Sequence, residues 1–257
     1  MCRLIAGALF MAIASIARAD FVIVAPQQGM AFSAAEVQGR ARAIWEGKIA
    51  DRKKAGVLGC HKYCARLQRI FVALQKAARQ HSTSDPASWH LAVTTSPTDT
   101  AFSVAGGYVL ISEAFIDSLD LSDDQVAFVL AHEMSHVLYQ HERQYLTDAL
   151  HLLPRGVVLS VDGLYGSLQA DMGLSLKLMP KAREQELQAD RGGFLLATCA
   201  GFSPSAMLGF MAKLERWEQT KGLQDPEHPP ASQRLQALEA LMPVAHKLAS
   251  PPAGSRF

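Results

Sequence analysis

The chain has 257 residues, 49% of them hydrophobic and 19% charged, with a formal net charge of +1. That length supports one sizeable domain or two small ones around a real core, and the composition excludes a disordered, collagenous or low-complexity chain. A near-neutral balance gives no general attraction to nucleic acid or anionic lipid.

The chain opens MCRLIAGALFMAIASIARAD, with Arg3 before an apolar run from Leu4 to Ile16 and then Ala17-Arg18-Ala19. These are the basic, apolar and small-x-small parts of a secretory signal, and the run is shorter than the roughly 20 residues of a membrane span. Cleavage after Ala19 is expected, and an uncleaved anchor over residues 4–16 is the competing reading. Cys2 precedes the apolar run, where a lipidated cysteine would follow it. Without residues 1–19, 23 basic side chains stand against 24 acidic ones. The expected organisation is a signal segment 1–19, one domain 20–245 and a disordered tail 246–257.

Residues 20–33 read as an exposed mature N-terminus, and Ala34 to Lys54 carries a helical pattern broken by KKAGVLG. A second helix is predicted from about Cys60 to Gln80, with Leu67, Ile70, Phe71 and Leu74 on one face. Cys60 and Cys64 are four apart near its start, which makes a bridge between them awkward. A Cys60–Cys199 or Cys64–Cys199 disulfide stays open if the fold brings the pair together, and a Cys/His metal cluster at 60–64 lacks a second ligand pair.

WHLAVTT reads as a strand, SPTD as a turn, and AFSVAGGYVLIS as a strand or hairpin arm with a glycine pair. A short helix follows at about Ser112–Leu119. Then LSDDQVAFVLAHEMSHVLYQHERQYL reads as one long helix: Ser122 can cap it, with Gln125 three residues on and two aspartates in the first turn. Residues 151–179 are fairly apolar, interrupted by Arg155, Asp162, Asp171 and Lys177. Further helices are predicted over Lys181–Ala200, from Ser203-Pro204 to about Thr220, and over about Ser232–Met242.

His132 and His136 are four apart on the long helix, so both imidazoles can reach one metal ion. Glu133, one position round, can reach a water on that ion and act as its base. H-E-x-x-H fixes only three residues and also arises by chance. In REQELQADRGG, Glu186 can complete a His₂Glu set, and Asp190, four residues on, can hold the ring N–H of a liganding histidine. Alternatively Glu184, Glu186 and Asp190 form a solvated face paired with Lys181 or Arg183. His141 falls off the ligand face as a supporting or surface histidine.

Together these segments resemble the HtpX-like and CAAX-prenyl-type (Ste24-like) zinc endopeptidases, which are gluzincins, from about Cys64 to Leu241. HEMSHV resembles the zinc helix, ELQAD the E-x-x-x-D helix, AFSVAGGYVLIS the glycine-paired strand, and HPPASQRL the late His-Pro…Arg segment. The resemblance implies an α+β, mostly helical zincin-type domain with a small β-sheet lining the cleft. It implies one Zn2+ per chain on His132, His136 and Glu186, with Glu133 as general base and Asp190 behind a ligand. It implies an edge strand at the cleft, with Gly106 and Gly107 allowing close approach of a polypeptide substrate, although a simple hairpin turn accounts for the two glycines equally. It also implies that His228 lies near the metal, aiding an oxyanion or capping the ion at rest, and that Arg234 pairs with a buried carboxylate.

The expected function is zinc-dependent hydrolysis of unfolded or misassembled envelope polypeptides in the periplasm, without nucleic acid and with peripheral membrane association as an option. The alternative is a latent or non-cleaving zinc-bound chaperone or adaptor. A di-iron carboxylate oxidoreductase needs a second Glu-x-x-His, and the sequence holds none.

Overall fold

The computed structural model describes residues 21–154, 156–157, 159–221 and 228–250. The expected signal segment and the tail from residue 251 lie outside these. Helices α1 (Ala34–Lys54) and α2 (Cys64–His81) precede strands β1 (His90–Thr94), β2 (Ala101–Val104) and β3 (Tyr108–Ser112). Then come α3 (Glu113–Ser118), α4 (Asp123–Tyr139), α5 (His141–Leu152), α6 (Val161–Ala170) and α7 (Met172–Cys199). The described chain closes with α8 (Pro204–Lys221), α9 (Ala231–Glu239) and α10 (Met242–Ala249). The fold is α+β and mostly helical, with one small sheet.

The sheet runs in the order β1-β3-β2, with β1 parallel and β2 antiparallel to β3. β3 carries Val109, Leu110 and Ile111 fully buried, as its central place requires. β2 is an edge. Gly106 and Gly107 form the β2–β3 turn at φ of +98° and +92°, the left-handed region that glycine enters without strain. A side chain at Gly107 would fall 2.3 Å from the Ser88 carbonyl oxygen. The glycine pair therefore makes a tight hairpin packed on the 86–88 segment.

Helix α4 is the centre of the molecule. Ser122 and Gln125 form the reciprocal capping box that starts it, and Val126 to Ala131 are buried on every side. Phe128 meets Phe194 of α7 and Phe210 of α8 edge to face. Burial of each such ring contributes about 1.5–3 kcal/mol. A second, smaller core joins Phe32 and Val37 to Leu146 and Ala149 of α5, Val161 and Leu164 of α6, and Leu174 and Leu178 of α7.

Several expectations change. The segment before α1 is not an exposed terminus: Ile23 and Ala25 are buried, and Ile23 pairs with Ser82. The long helix breaks at Gln140, which takes a left-handed conformation (φ 57°, ψ 42°) and ends α4. α7 begins at Met172, nine residues before Lys181, because Asp171 caps it and Leu174 and Leu178 anchor the extra turns in the second core. It runs on through Pro180. α6 has no counterpart in the sequence reading, and α10 makes residues 246–249 helical, where a disordered tail was expected. The disulfide joins Cys60 to Cys64, and Cys199 takes no part in it. The bridge forms because Cys60 lies before the helix, in a loop that curls round the buried Glu113 carboxylate. That carboxylate accepts the backbone N–H groups of His61, Lys62 and Tyr63.

Candidate metal centre and cleft

α4 and α7 pack closely because α7 has no side chain at the crossing. A methyl group on Gly193 would lie 2.6 Å from the His132 amide nitrogen, and one on Gly192 would lie 2.9 Å from Ser135 Oγ. This approach brings one turn of α7, Glu186 to Asp190, against the histidines of α4.

Glu186 Oε2 lies 3.3 Å from His132 Nε2, and Oε1 lies 3.3 Å from His136 Nε2. The two Nε2 atoms are 3.1 Å apart. Three donor atoms thus converge within 4.8 Å. Glu186 Oε2 is buried with no hydrogen bond, although imidazole nitrogens surround it. Burial alone would raise the Glu186 carboxyl, but His136, His132 and His228 hold it far below the ordinary carboxylate range. Burial likewise opposes charge on His132, yet Asp190 and Glu186 outweigh it and raise its pKa to about 10. A proton is drawn into the trio because the carboxylates there are in excess, which is the electrostatic setting of a cation site.

Each histidine is held by its second nitrogen. His132 Nδ1 lies 3.0 Å from Asp190 Oδ1. Asp190 is fully buried and takes two hydrogen bonds from Arg234, from Nε and from Nη2, each 2.7 Å. Burial would raise the Asp190 carboxyl, but Arg234 and His132 bring it down to about 2. The ionised carboxylate accepts the His132 Nδ1–H, which fixes the ring so that Nε2 is the atom turned to Glu186.

His136 is held by a histidine. Its Nδ1 lies 3.0 Å from His141 Nδ1, and His141 Nε2 lies 3.1 Å from Gln188 Oε1. Burial first, and then the charge on His136, lower the His141 pKa to about 3, so its ring is neutral. A neutral ring that donates Nε2–H to an amide oxygen keeps its lone pair on Nδ1. His136 then donates from Nδ1, and its Nε2 is the atom turned to the centre. His141 is accordingly a buried support: the break at Gln140 swings it back beneath His136.

Glu133 lines the cleft, where Ser103 Oγ of β2 lies 3.0 Å from its Oε2 and 2.9 Å from its carbonyl oxygen. His228 Nε2 lies 3.1 Å from Glu186 Oε2. Arg234 is the partner of a buried carboxylate. Gly106 lines the cleft, whereas Gly107 faces Ser88 and Pro86. The main cavity, about 600 Å³, extends from these residues along β2 to α1, α5 and α6. Its far wall holds Glu142, which accepts from the Ala105 N–H and from the Tyr165 hydroxyl. Burial raises its carboxyl to about 7.

The sequence reading missed Ser103, Gln188, Glu142 and the Gly192–Gly193 pair. The glycine pair was legible, since two glycines inside a helix signal a close approach. Ser103, Gln188 and Glu142 are ordinary polar residues that only the tertiary fold selects.

A His–His–Glu set on two crossed helices, with His132 buried and His136 and Glu186 half-buried, a carboxylate beside it and an edge strand along the cleft place this centre among the metallopeptidases. Residues 64–242 match the model of Peptidase family M48, and the chain belongs to that family. Mitochondrial metalloendopeptidase OMA1 of Saccharomyces cerevisiae is 28% identical over 203 residues, which is 73% of this chain and 58% of that protein. Metalloprotease LoiP of Escherichia coli K12 is 31% identical over 150 residues, 55% of this chain and 58% of that protein. The β-barrel assembly-enhancing protease of the same strain is 29% identical over 145 residues, 52% of this chain and 30% of that protein. The chain thus spans less than two thirds of each of these relatives.

Proposed function

We propose that the protein is an exported zinc-dependent endopeptidase, a gluzincin of the HtpX-like or CAAX-prenyl-type branch, that hydrolyses unfolded or misassembled polypeptides of a bacterial envelope. The observation that carries this reading is the convergence of His132, His136 and Glu186 beside Glu133. Two imidazole nitrogens and a carboxylate suit zinc with a position left open, and an orphaned Glu186 oxygen fits a group still to be bound.

His132, His136 and Glu186 would hold one zinc ion per chain. Bound there, zinc would supply a Lewis acid that acidifies water and polarises a carbonyl. Glu133 takes a proton from the attacking water and delivers it to the leaving nitrogen as the peptide bond breaks. Ser103 steadies the Glu133 carboxylate. Asp190 fixes His132, and Arg234 keeps Asp190 ionised. The unpaired side of β2 can add an extended chain by main-chain hydrogen bonds, with little regard for its sequence, and Gly106 lets that chain pass the hairpin end. Gly107 shapes the turn.

The leader over residues 1–19 supports a periplasmic setting, with an anchor over residues 4–16 as the alternative. A relative named as a β-barrel assembly-enhancing protease supports envelope substrates. No described helix is long and apolar enough to cross a membrane.

The test is cleavage of unfolded casein by the zinc-loaded chain beside Glu133→Gln. Cleavage by the first alone is expected, and cleavage retained by Glu133→Gln would overturn the assignment. One observation favours a latent form: His228 Nε2 sits 3.1 Å from Glu186 Oε2, where it can fill the open position. Under that reading His228→Ala raises cleavage. Silence in both zinc-loaded proteins supports the non-cleaving adaptor.

A further inference from the structure

The open edge of β2 leads from the metal centre to an acid. The Ser112 N–H donates to the Thr100 carbonyl oxygen, and along an antiparallel strand residues that bond the partner alternate with residues that face away. Phe102 and Val104 therefore turn their main-chain groups to β3, and Ala101, Ser103 and Ala105 turn theirs to the open side. Ser103 stands at Glu133, with its Oγ 3.0 Å from Oε2. Two residues on, the Ala105 N–H is already taken: it donates to Glu142 Oε2 at 2.7 Å. A chain added to β2 can pair beside Ser103 and then meets the Glu142 carboxylate.

Glu142 lines the main cavity, and its other oxygen accepts from the Tyr165 hydroxyl of α6. Both donors are neutral. Arg143 lines the same cavity, but its Nε donates to the Phe32 carbonyl oxygen and its Nη1 to Gln140 Oε1. Arg40 of α1 stands over the Tyr165 ring with its Nε 3.0 Å from Asp162 Oδ1. The adjoining His141 ring is neutral. Asp85, exposed at the cavity wall, accepts from Trp89 Nε1. Away from the metal, the charged lining is thus Asp85 and Glu142 against an Arg143 that is already engaged. Among the described residues no cationic side chain is bonded to Glu142, and burial is what raises its carboxyl. A cation brought here gains a charge-assisted bond. An anion would meet two carboxylates. At roughly 3.3 Å per residue, Ala105 lies about 7 Å beyond Ser103, so the group that meets Glu142 belongs to a residue two or three from the reacting bond.

We infer that Glu142, at the open edge of β2, is a subsite for a cationic group of the substrate, an ammonium or guanidinium carried two or three residues from the scissile bond. The inference rests on the peptidase reading above and names the substrate class for it. A lysine or arginine side chain carries such a group, and so does the free amino terminus of a polypeptide. Gln38 and Gln185 line the same cavity and offer amide oxygens to the remaining N–H donors. Glu142 ionises when the cation arrives, so the preference strengthens as pH rises through about 7.

The test uses N-acetylated glycine- and serine-rich peptides with one central Lys, Arg, Gln or Glu, and the Gln peptide again with a free amino terminus. They are titrated by fluorescence anisotropy at pH 7.5 against the zinc-loaded full chain with Glu133→Gln, alone and with Glu142→Gln added. Cut sites in the unsubstituted chain are mapped by mass spectrometry. The Lys and Arg peptides, or the free-amine peptide, are expected to bind at least fivefold more tightly than acetylated Gln and to be cut two or three residues from the cation. Preference for Lys and Arg assigns the subsite to a side chain, and preference for the free amine alone assigns it to a chain terminus. Glu142→Gln should abolish the preference, whereas Asp85→Asn should leave it. Equal binding of all five peptides, or none, overturns the inference. So does a preference that survives Glu142→Gln in a protein whose melting curve shows it folded. If that variant does not fold, the ratio of Lys to Gln binding at pH 6 and pH 8 decides. The Gln peptide read at each pH cancels the titration of the metal-end histidines. A ratio that widens with pH supports the subsite, and an unchanged ratio overturns it. Binding with this preference but without cleavage upholds the subsite and removes the peptidase reading.

Discussion

Gly193 of α7 lies directly on the backbone of His132 of α4: a methyl group at its Cβ position would stand 2.6 Å from the His132 amide nitrogen and 2.8 Å from its Cα. Backbone cannot yield as a flexible side chain can, so the two helices must part if that methyl is added. Glu186 and Asp190, on α7, would move with it. Gly193→Ala is expected to cost about 1–3 kcal/mol, the range for overpacking a core. It should also weaken zinc binding, read by competition with a chelating dye. Gly166→Ala is the control, since its helical position faces open space, and it should be neutral or stabilising by about 0.5–1 kcal/mol.

The Asp190–Arg234 pair is buried at both ends, with side-chain exposures of 0% and 7%. Removing one charge strands the other. Asp190→Asn should destabilise the fold by about 3–5 kcal/mol, measured by urea unfolding. It should also lower zinc affinity roughly 10–100-fold through loss of the His132 partner. Asp190→Asn with Arg234→Met should recover part of the stability and none of the affinity.

Support of His136 by His141 and Gln188 predicts a loss of a different kind. Gln188→Leu removes the acceptor that fixes the His141 ring. Zinc affinity should fall roughly 10–100-fold, while the melting temperature of the apo chain changes little. An unchanged zinc affinity would show that the relay does not orient His136.

The Glu142 carboxyl, raised by burial to about 7 from an ordinary 4.5, carries a pH signature. The folded state holds this proton more tightly than the unfolded state. Its contribution is fully present below about pH 4.5 and is lost as pH rises through 7, on the order of 3 kcal/mol at most. Glu142→Gln should flatten that loss between pH 5 and 8 in melting curves. A wild-type slope retained in the variant would assign it to another group.

The local signals in the sequence were strong where chemistry and helix geometry coincide. His132, Glu133 and His136 lie within one turn, and Ser122 with Gln125 announces the start of their helix, so the motif and its setting were readable together. Glu186 and Asp190 needed a second helix to be placed against the first, which the resemblance supplied. What escaped was set by position in space. Gln140 is a residue type that fits a helix as well as a left-handed stop, so its break of the long helix, and with it the place of His141, was invisible. The Cys60–Cys64 bridge depended on a loop shaped by Glu113, about 50 residues away. α6 and the first turns of α7 bury only one narrow face in the second core, which left their periodicity weak among interrupting charges.

The most direct test of the centre is zinc stoichiometry and affinity, by equilibrium dialysis with metal analysis, for the unsubstituted chain and for Glu186→Ala. One zinc per chain in the first, with at least a hundredfold weaker binding in the second, is the predicted result. Equal zinc binding by both proteins would contradict the assignment of Glu186 as the third ligand, and with it the joining of α4 and α7 into one metal site.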